Sequence, residues 1–338
     1  MLTFLRMDNL TYSLTCKMFA FSVTVLLASI CGCQSREYGR VPCSEFPNTY
    51  TLSNGCVELT VAPQIGRIIG YRRIDGQNLL WMNMGPMSHE TGNEWYDYGG
   101  EKIWLAPKGL WQDILGRTWP PETTIDGAPW NVTFASARKL VMVSKVSTAH
   151  AARVTRTITL PDDGTTVRID NHLERTQNSP HPVQIWTIAQ VLLPEMALLS
   201  ISDEKHAEIA ILENSKKGVV LEKNIDLKYA QLIWPADAST KVGTFGQWVA
   251  AVYFDDIFVQ YAEFDKSAKY YDKASCEIYA NPKLKYIELE LLSPTEYLST
   301  GRMRNFTITW KLLRNHGHAK VVEVVNNIEK ANPVKNHD

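Results

Sequence analysis

The chain has no surplus of either charge: 35 Lys and Arg stand against 36 Asp and Glu, a formal net charge of -1 over 338 residues. Without a basic excess there is no electrostatic footprint for nucleic acid or another polyanion. Cysteine is scarce, six in all, and no pair has CxxC or Cys/His ligand spacing, which argues against a structural zinc site. A GxSxG nucleophile elbow, a phosphate loop, a dinucleotide fingerprint and HExxH are all missing, so those nucleophile, nucleotide and metalloprotease chemistries have no motif to rest on. Helical periodicity is sparse. What is present is a globular composition, 45% hydrophobic with ten Trp and fourteen Tyr, enough for a sizeable core.

Lys17 precedes Met18 to Ile30, about 13 uncharged residues, too short to span a bilayer and the right length for a signal-peptide core. The run ends in Ile30-Cys31-Gly32-Cys33, which resembles a bacterial lipobox. Gly32 is small at the cleavage position and Ile30 is not, so Cys33 is the expected lipid acceptor; an ordinary secretory signal is the alternative. Residues 1–33 thus read as a lipoprotein signal peptide, with Met7 and Met18 as other starts, and polar residues 34–46 as a flexible tether. The implied address is the cell envelope, lipid-anchored on its periplasmic or outer-membrane face. Processing leaves Cys43, Cys56 and Cys276, from which an oxidising compartment permits one disulfide and one free thiol.

From Thr49 onward short β-like runs alternate with turn signals such as Ser53-Asn54-Gly55, Asp162-Asp163-Gly164 and Asp255-Asp256. Strands are expected over Cys56–Ala62, Arg67–Ile74, Lys139–Val146, Ala152–Leu160, Thr166–Leu173, Val183–Leu192, Trp248–Phe254, Ile257–Phe264, Tyr286–Leu292 and Arg304–Leu313. Many short strands without intervening helices predict an all-β sandwich or barrel. No linker divides them, so 47–315 reads as one domain and 316–338 as a tail, within which Ala319–Ala331 has a mixed pattern suited to a short helix. Residues 84–131, rich in Gly, Pro and Trp, interrupt the strand pattern, and long irregular insertions in compact domains are often functional.

Three ordered patterns carry a family resemblance. Gly66-Arg67-Ile68-Ile69 leads to Asp75-Gly76-Gln77-Asn78; Asp170-Asn171-His172 runs through Pro180-His181-Pro182-Val183; Glu290-Leu291-Leu292-Ser293-Pro294 precedes Leu298-Ser299-Thr300-Gly301 and Phe306-Thr307-Ile308-Thr309-Trp310. Together they resemble the opening hairpin, central segment and closing strands of the galactose mutarotase (aldose epimerase) superfamily. The Gly99-Gly100-Glu101-Lys102-Ile103-Trp104 block and the lipobox look most like an uncharacterised envelope branch of it. The resemblance implies an antiparallel β-supersandwich of galactose mutarotase type, with carbohydrate in its groove and Glu290 as catalytic base. Opening a pyranose also needs an acid on the ring oxygen, which in mutarotases is a His. Here the matching position is Ile188, so the acid is missing, and His181, just ahead of the strand, is a weak substitute.

Strand alternation places Gln184, Trp186, Ile188 and Gln190 on one face, and Tyr286, Glu288 and Glu290 together opposite Ile287, Leu289 and Leu291. An indole beside amides suits sugar rings and their hydroxyls; ordinary core packing is the alternative for Trp186, and a solvated face for Glu288. Arg67, Gly100, Lys102 and Trp104 complete the expected groove, Gly100 either letting backbone approach a ligand or only closing a tight turn. Arg156, among Val154, Ile158 and Leu160, needs a partner, with Glu288 or Glu290 as candidates. Glu94, Asp97, Glu101, Asp113, Glu122 and Asp126 offer further carboxylates, any two of which could form a glycosidase pair.

The functional expectation is an envelope lipoprotein that binds carbohydrate in saccharide uptake or processing. The alternative is a sugar-active enzyme using Glu290 as base, either an aldose epimerase or a polysaccharide lyase or hydrolase; a ligand-free structural role is a third reading. No organic cofactor or metal motif is expected, though calcium held by loop oxygens would leave no spacing signature. The partners implied are carbohydrate and the membrane, the latter through lipid.

Overall fold

The computed structural model describes residues 40–41, 46, 48–83, 95–202, 208–213, 220–233, 239–271, 273–317 and 319–334. The signal segment with Cys33, most of the tether, and Cys43 lie outside the described residues. In chain order the strands are β1 (Arg40–Val41), β2 (Thr49–Ser53), β3 (Val57–Ala62), β4 (Arg67–Arg73), β5 (Glu101–Ala106), β6 (Asn131–Ala135), β7 (Lys139–Val143), β8 (Ala152–Thr159), β9 (Val167–Arg175) and β10 (Gln184–Leu192). There follow β11 (Met196–Ser200), β12 (Ala210–Glu213), β13 (Val220–Asn224), β14 (Tyr229–Ile233), β15 (Thr240–Thr244), β16 (Trp248–Val252), β17 (Asp256–Ala262), β18 (Cys276–Ala280), β19 (Tyr286–Leu292) and β20 (Met303–Arg314). Two α-helices, α1 (Trp111–Leu115) and α2 (Val321–Lys330), and two short 3₁₀ turns, Pro63–Ile65 and Lys108–Leu110, complete the described elements. No described helix is long and apolar enough to cross a membrane.

Among the described residues the strands form two ten-stranded sheets with antiparallel pairings throughout. Sheet I runs β1-β2-β3-β4-β5-β10-β19-β18-β15-β12 and sheet II β13-β14-β11-β16-β17-β20-β9-β8-β7-β6. This is the all-β sandwich that the strand pattern predicts. Alternation builds the core: Ile103 and Leu105, Ile185, Ala189 and Val191, and Ile287, Leu289 and Leu291 turn inward from sheet I to meet Val154, Ile158, Ile169, Ile308 and Trp310 from sheet II.

The two sheets bury different outer faces. On sheet II, α2 lays Val324, Val325 and Ile328 against Leu198, Trp248, Ala250, Val259 and Tyr261. The Trp248 indole donates to Glu329 at 2.7 Å and the Tyr261 hydroxyl to the Ile328 carbonyl at 2.9 Å. The short helix anticipated in the tail is therefore packed onto the sandwich. On sheet I the outer face is covered instead by irregular segments that include Trp95, α1 and Asp126.

Arg156 does have a buried partner, but it is neither Glu288 nor Glu290. The Arg156 guanidinium reaches across the core to Glu101 on β5 at 2.7 Å and donates to Asn171 at 3.0 Å. The reason is parity: Arg156 points inward with Val154 and Ile158, as Glu101 does with Ile103 and Leu105, whereas Glu288 and Glu290 face away from the core. Cys56, exposed, and Cys276, buried, are both free thiols, so the permitted disulfide does not form between them.

Because both members of the Arg156–Glu101 pair are fully buried, truncating one strands a charge. Arg156→Leu is expected to cost about 3–5 kcal/mol, and the double variant with Glu101→Leu to recover much of that loss. Urea unfolding of the two variants checks this; equal destabilisation by single and double replacement would refute it.

Candidate functional site

The outer face of sheet I carries two rows of side chains that the strand register fixes. One row is Lys102, Ile188, Glu290 and Glu277, cross-strand neighbours on β5, β10, β19 and β18. The next is Gln190, Glu288, Tyr279 and Lys241, on β10, β19, β18 and β15. Neighbours within a row stand about 5 Å apart, and Glu288 and Glu290, two residues apart on one strand, about 7 Å. Most of these groups are buried, so their charges must be answered locally.

Lys241 answers Glu290 and Glu277. Its ammonium lies 2.8 Å from Glu290 and 2.7 Å from Glu277, and 4.1 Å from the centre of the Trp186 ring. The Trp186 indole donates to the same Glu290 oxygen, Oε2, at 2.5 Å. Oε1 of Glu290, also buried, receives no hydrogen bond from the described residues. Burial, opposed by Lys241 and reinforced by Glu277, raises the Glu290 pKa to about 7. Burial likewise works to lower the Lys241 pKa, but Glu277 and Glu290 outweigh it and hold the ammonium protonated.

Asp97 organises the second cluster. It accepts from Lys102 at 3.2 Å, Gln190 at 2.8 Å and the Tyr286 hydroxyl at 3.0 Å, with Arg67 at 3.6 Å. The Gln190 amide bridges onward to Glu288 at 2.9 Å, and Lys102 stands 3.7 Å from that carboxyl. Burial raises the Glu288 pKa to about 7, against the pull of Lys102 and with the push of Glu290 and Asp97. For Asp97 burial is outweighed by Lys102, Arg67 and the Gln190 hydrogen bond, which keep its carboxyl well below the usual range.

A third carboxylate ties the irregular segments to the sheet. Asp126 accepts from Arg67 at 2.5 Å and from both Trp95 and Trp104 indoles at 2.6 Å. Trp104 packs edge-on to Trp186 at 5.0 Å, and Trp111 of α1 packs on Trp104 at 5.6 Å. With Ala106, Ile188 and Leu292 these rings form a closed apolar patch. Trp104 and Trp186 are therefore anchors, each with its N–H committed to a carboxylate and a lysine ammonium near its ring. Among the described residues the exposed indole is Trp119, 49% exposed, which abuts Trp95 and Trp104.

Of the residues singled out from sequence, Arg67, Lys102, Trp104, Trp186, Gln190, Glu288 and Glu290 share this face. Gly100 meets backbone instead of open space: at φ +73° its missing Cβ would lie 2.5 Å from the Ile68 carbonyl, so the close approach it permits is to β4. His181 is not brought to Glu290. Its backbone carbonyl accepts from Arg175 and its N–H donates to Ser179, and no hydrogen bond or ion pair to Glu290 comes from a histidine among the described residues. Ile188 sits directly beside Glu290 and packs with the indoles of Trp104 and Trp186. Lys241, Glu277 and Tyr286 were not singled out, and Asp97 and Asp126 were only members of a wider pool of acids. The alternation of Lys241 with Thr240 and Val242, and of Glu277 with Cys276 and Ile278, is the faint signal that could have found two of them. Among the described residues no three His, Cys, Asp or Glu side chains gather as a metal cage.

No protein-family model and no curated protein matches the sequence. Solved structures do match in fold. An aldose 1-epimerase candidate from Escherichia coli K12 aligns with a TM-score of 0.53 at 15% identity over 79% of this chain and 99% of that one. A galactose mutarotase-like protein from Lactobacillus casei aligns at 0.53, with 10% identity over 79% and 100%, and the Slr1438 protein of Synechocystis at 0.54, with 9% identity over 82% and 98%. The fold of the chain is thus the antiparallel sandwich of galactose mutarotase type. At these identities the likeness extends to the architecture alone.

The raised carboxyls make a signed prediction. A group that binds its proton more tightly when folded favours the native state while protonated, so stability should fall as pH rises from about 4.5, the ordinary value, to about 7. Glu290→Gln is expected to flatten part of that decline in urea midpoints taken across the interval; identical slopes in both proteins would contradict the assignment.

Proposed function

We propose that the outer face of sheet I is a carbohydrate site, in a protein held in the cell envelope by lipid on Cys33 and serving saccharide uptake or processing. The observation that carries the reading is the partly open end of the polar network. Side chains of Asp97, Glu288 and Lys241 remain 20%, 12% and 10% exposed within an otherwise buried set of charges. Carboxylates, an amide and ammonium groups together offer both acceptors and donors to vicinal hydroxyls. Trp95 adjoins Lys102 at 5.6 Å, and Trp119 extends that aromatic surface outward, supplying flat apolar area for sugar C–H faces. The descriptions of two fold neighbours as an aldose 1-epimerase candidate and a galactose mutarotase-like protein favour sugars over other polyols.

Turnover is the second reading, and a specific feature favours it. Glu290 has titratable neighbours within a sugar's breadth, namely Lys241, Glu277 and Glu288, so chemistry there does not need the histidine absent at Ile188.

Calorimetry against free aldoses and oligosaccharides, on protein lacking residues 1–33, tests the binding claim. At least one saccharide should bind, and Asp97→Asn and Trp119→Ala should each weaken it several-fold. Silence across the panel would instead favour a ligand-free structural role. The anchor is tested separately in cells: Cys33→Ala should abolish palmitate labelling and release the protein from the membrane fraction, whereas retained labelling would rule out Cys33 as acceptor.

A further inference from the structure

We propose that the end of the sandwich bearing Ile74, Leu193 and Phe254 rests on the bilayer that holds the Cys33 lipid, with these side chains entering the boundary between headgroups and acyl chains. This seating rests on the lipid anchor proposed above and adds the surface of the domain that meets the membrane.

Strand directions gather the three residues at one end. Ile74 follows the last residue of β4, Leu193 follows the last of β10, and Phe254 lies in the turn of the β16–β17 hairpin. The Tyr253 hydroxyl donates to the Leu192 carbonyl at 2.8 Å, which sets the hairpin beside Leu193. Arg73 donates to Asp256 at 2.6 Å and to the Leu312 carbonyl at 2.8 Å, which sets Ile74 beside the same hairpin. Gly317 packs under Phe254: its N–H donates to the Phe254 carbonyl at 3.1 Å, and a Cβ there would lie 2.8 Å from the ring. All three side chains are exposed. Apolar groups gathered inside a polar rim are the surface pattern of a membrane or protein contact.

The path of the chain selects the bilayer. β1 lies antiparallel to β2, with Arg40 opposite Tyr50 and Val41 opposite Thr49, so β1 enters the sheet from the Ser53 side. Ser53 belongs to the Ile74 end, because Val57 pairs with Arg73 and the Ile74 N–H donates to the Cys56 carbonyl at 3.1 Å. From Tyr50 to Ser53 is about 10 Å along the strand. Backbone from residue 33 to residue 40 spans at most about 25 Å, so lipid on Cys33 keeps Arg40 within that distance of the headgroups.

The opposite end lies about 30 Å away along β10. It carries exposed Trp119, reached by Lys108 beyond β5, and exposed Tyr297, next to the Glu296–Val183 bridge. Indole and phenol rings also suit a membrane boundary; the side from which β1 enters decides between the two ends. Around Ile74, Leu193 and Phe254 the exposed Asp75, Glu195 and Asp255 form an acidic rim, with Arg314 3.8 Å from Asp75. Such a rim favours the ammonium groups of phosphatidylethanolamine over anionic headgroups, and apolar insertion holds the contact. Seated this way, the outer face of sheet I opens sideways, with its Trp119 end directed away from the bilayer.

Cys56, exposed and free in the turn after Ser53, is a native handle for the test. The acylated chain carrying Cys43→Ser, purified from membranes and spin-labelled on Cys56, is placed in vesicles of phosphatidylethanolamine and phosphatidylcholine. Collision of the label with lipid-soluble oxygen, relative to a water-soluble nickel chelate, should rise several-fold over that of unanchored protein lacking residues 1–33. A label at the far end, introduced by Tyr297→Cys with Cys56→Ser, should show no rise. Leu193→Asp combined with Phe254→Asp should remove most of the rise at Cys56 while palmitate on Cys33 is retained. No rise at Cys56, a rise at position 297 instead, or a rise unaffected by the double substitution overturns the seating and leaves the lipid anchor standing. Absence of palmitate on Cys33 overturns the anchor and the seating with it.

Discussion

A buried carboxylate must be given a cation, a hydrogen-bond donor or a proton, and the outer face of sheet I is arranged around that requirement. Asp126 receives a guanidinium and two indoles, and through them holds Trp95 and the strands carrying Arg67 and Trp104 together. Asp97 receives an ammonium, an amide and a phenol, joining β5, β10 and β19. Glu290 receives an ammonium and an indole, joining β10, β19 and β15. Each carboxylate thus bonds to elements distant in sequence, so removing any one would leave several buried donors without their acceptor. The polar face is a structural requirement of the sheet as well as a chemical resource.

What alternation along single strands could reveal was visible beforehand. Glu288 with Glu290, and Trp186 with Gln190, follow from a period of two and from knowing which neighbours are aliphatic. The expectation that Glu288 or Glu290 partners Arg156 failed on the same rule, since a residue in phase with Val154 faces inward while both glutamates face outward; Glu101, in phase with Ile103 and Leu105, is the anion it meets. What alternation could not reveal is which strands become neighbours. Lys241 lies 49 residues from Glu290 in sequence and meets it because β15 pairs with β18 and β18 with β19. Nor could it choose Asp97 and Asp126 from six acids in an irregular stretch, where no periodicity says which way a side chain points.

Aromatic supply was legible, its use less so. An indole on a polar face suggests a stacking surface, yet Trp104 and Trp186 spend their N–H groups on Asp126 and Glu290 and lie beside lysine ammonium groups. Sequence cannot separate the two uses, because both need a tryptophan flanked by hydrogen-bonding residues. Burial separates them, and among the described residues it leaves Trp119 as the exposed indole.

The position of Ile188 connects fold with chemistry. It lies between Lys102 and Glu290 in the strand register and packs with Trp104, Trp111, Trp186 and Leu292. A titrating imidazole in that apolar patch would be surrounded by ring faces and aliphatic carbon, with desolvation working against its charged form. An isoleucine removes that cost and lets the patch close around the indoles that anchor Glu290 and Asp126. The partly exposed side chains Glu288 and Lys241 lie one row away. Adjacent outward positions of β19 therefore face different surroundings: closed aromatic packing beside Glu290, and an amide and carboxylate network beside Glu288.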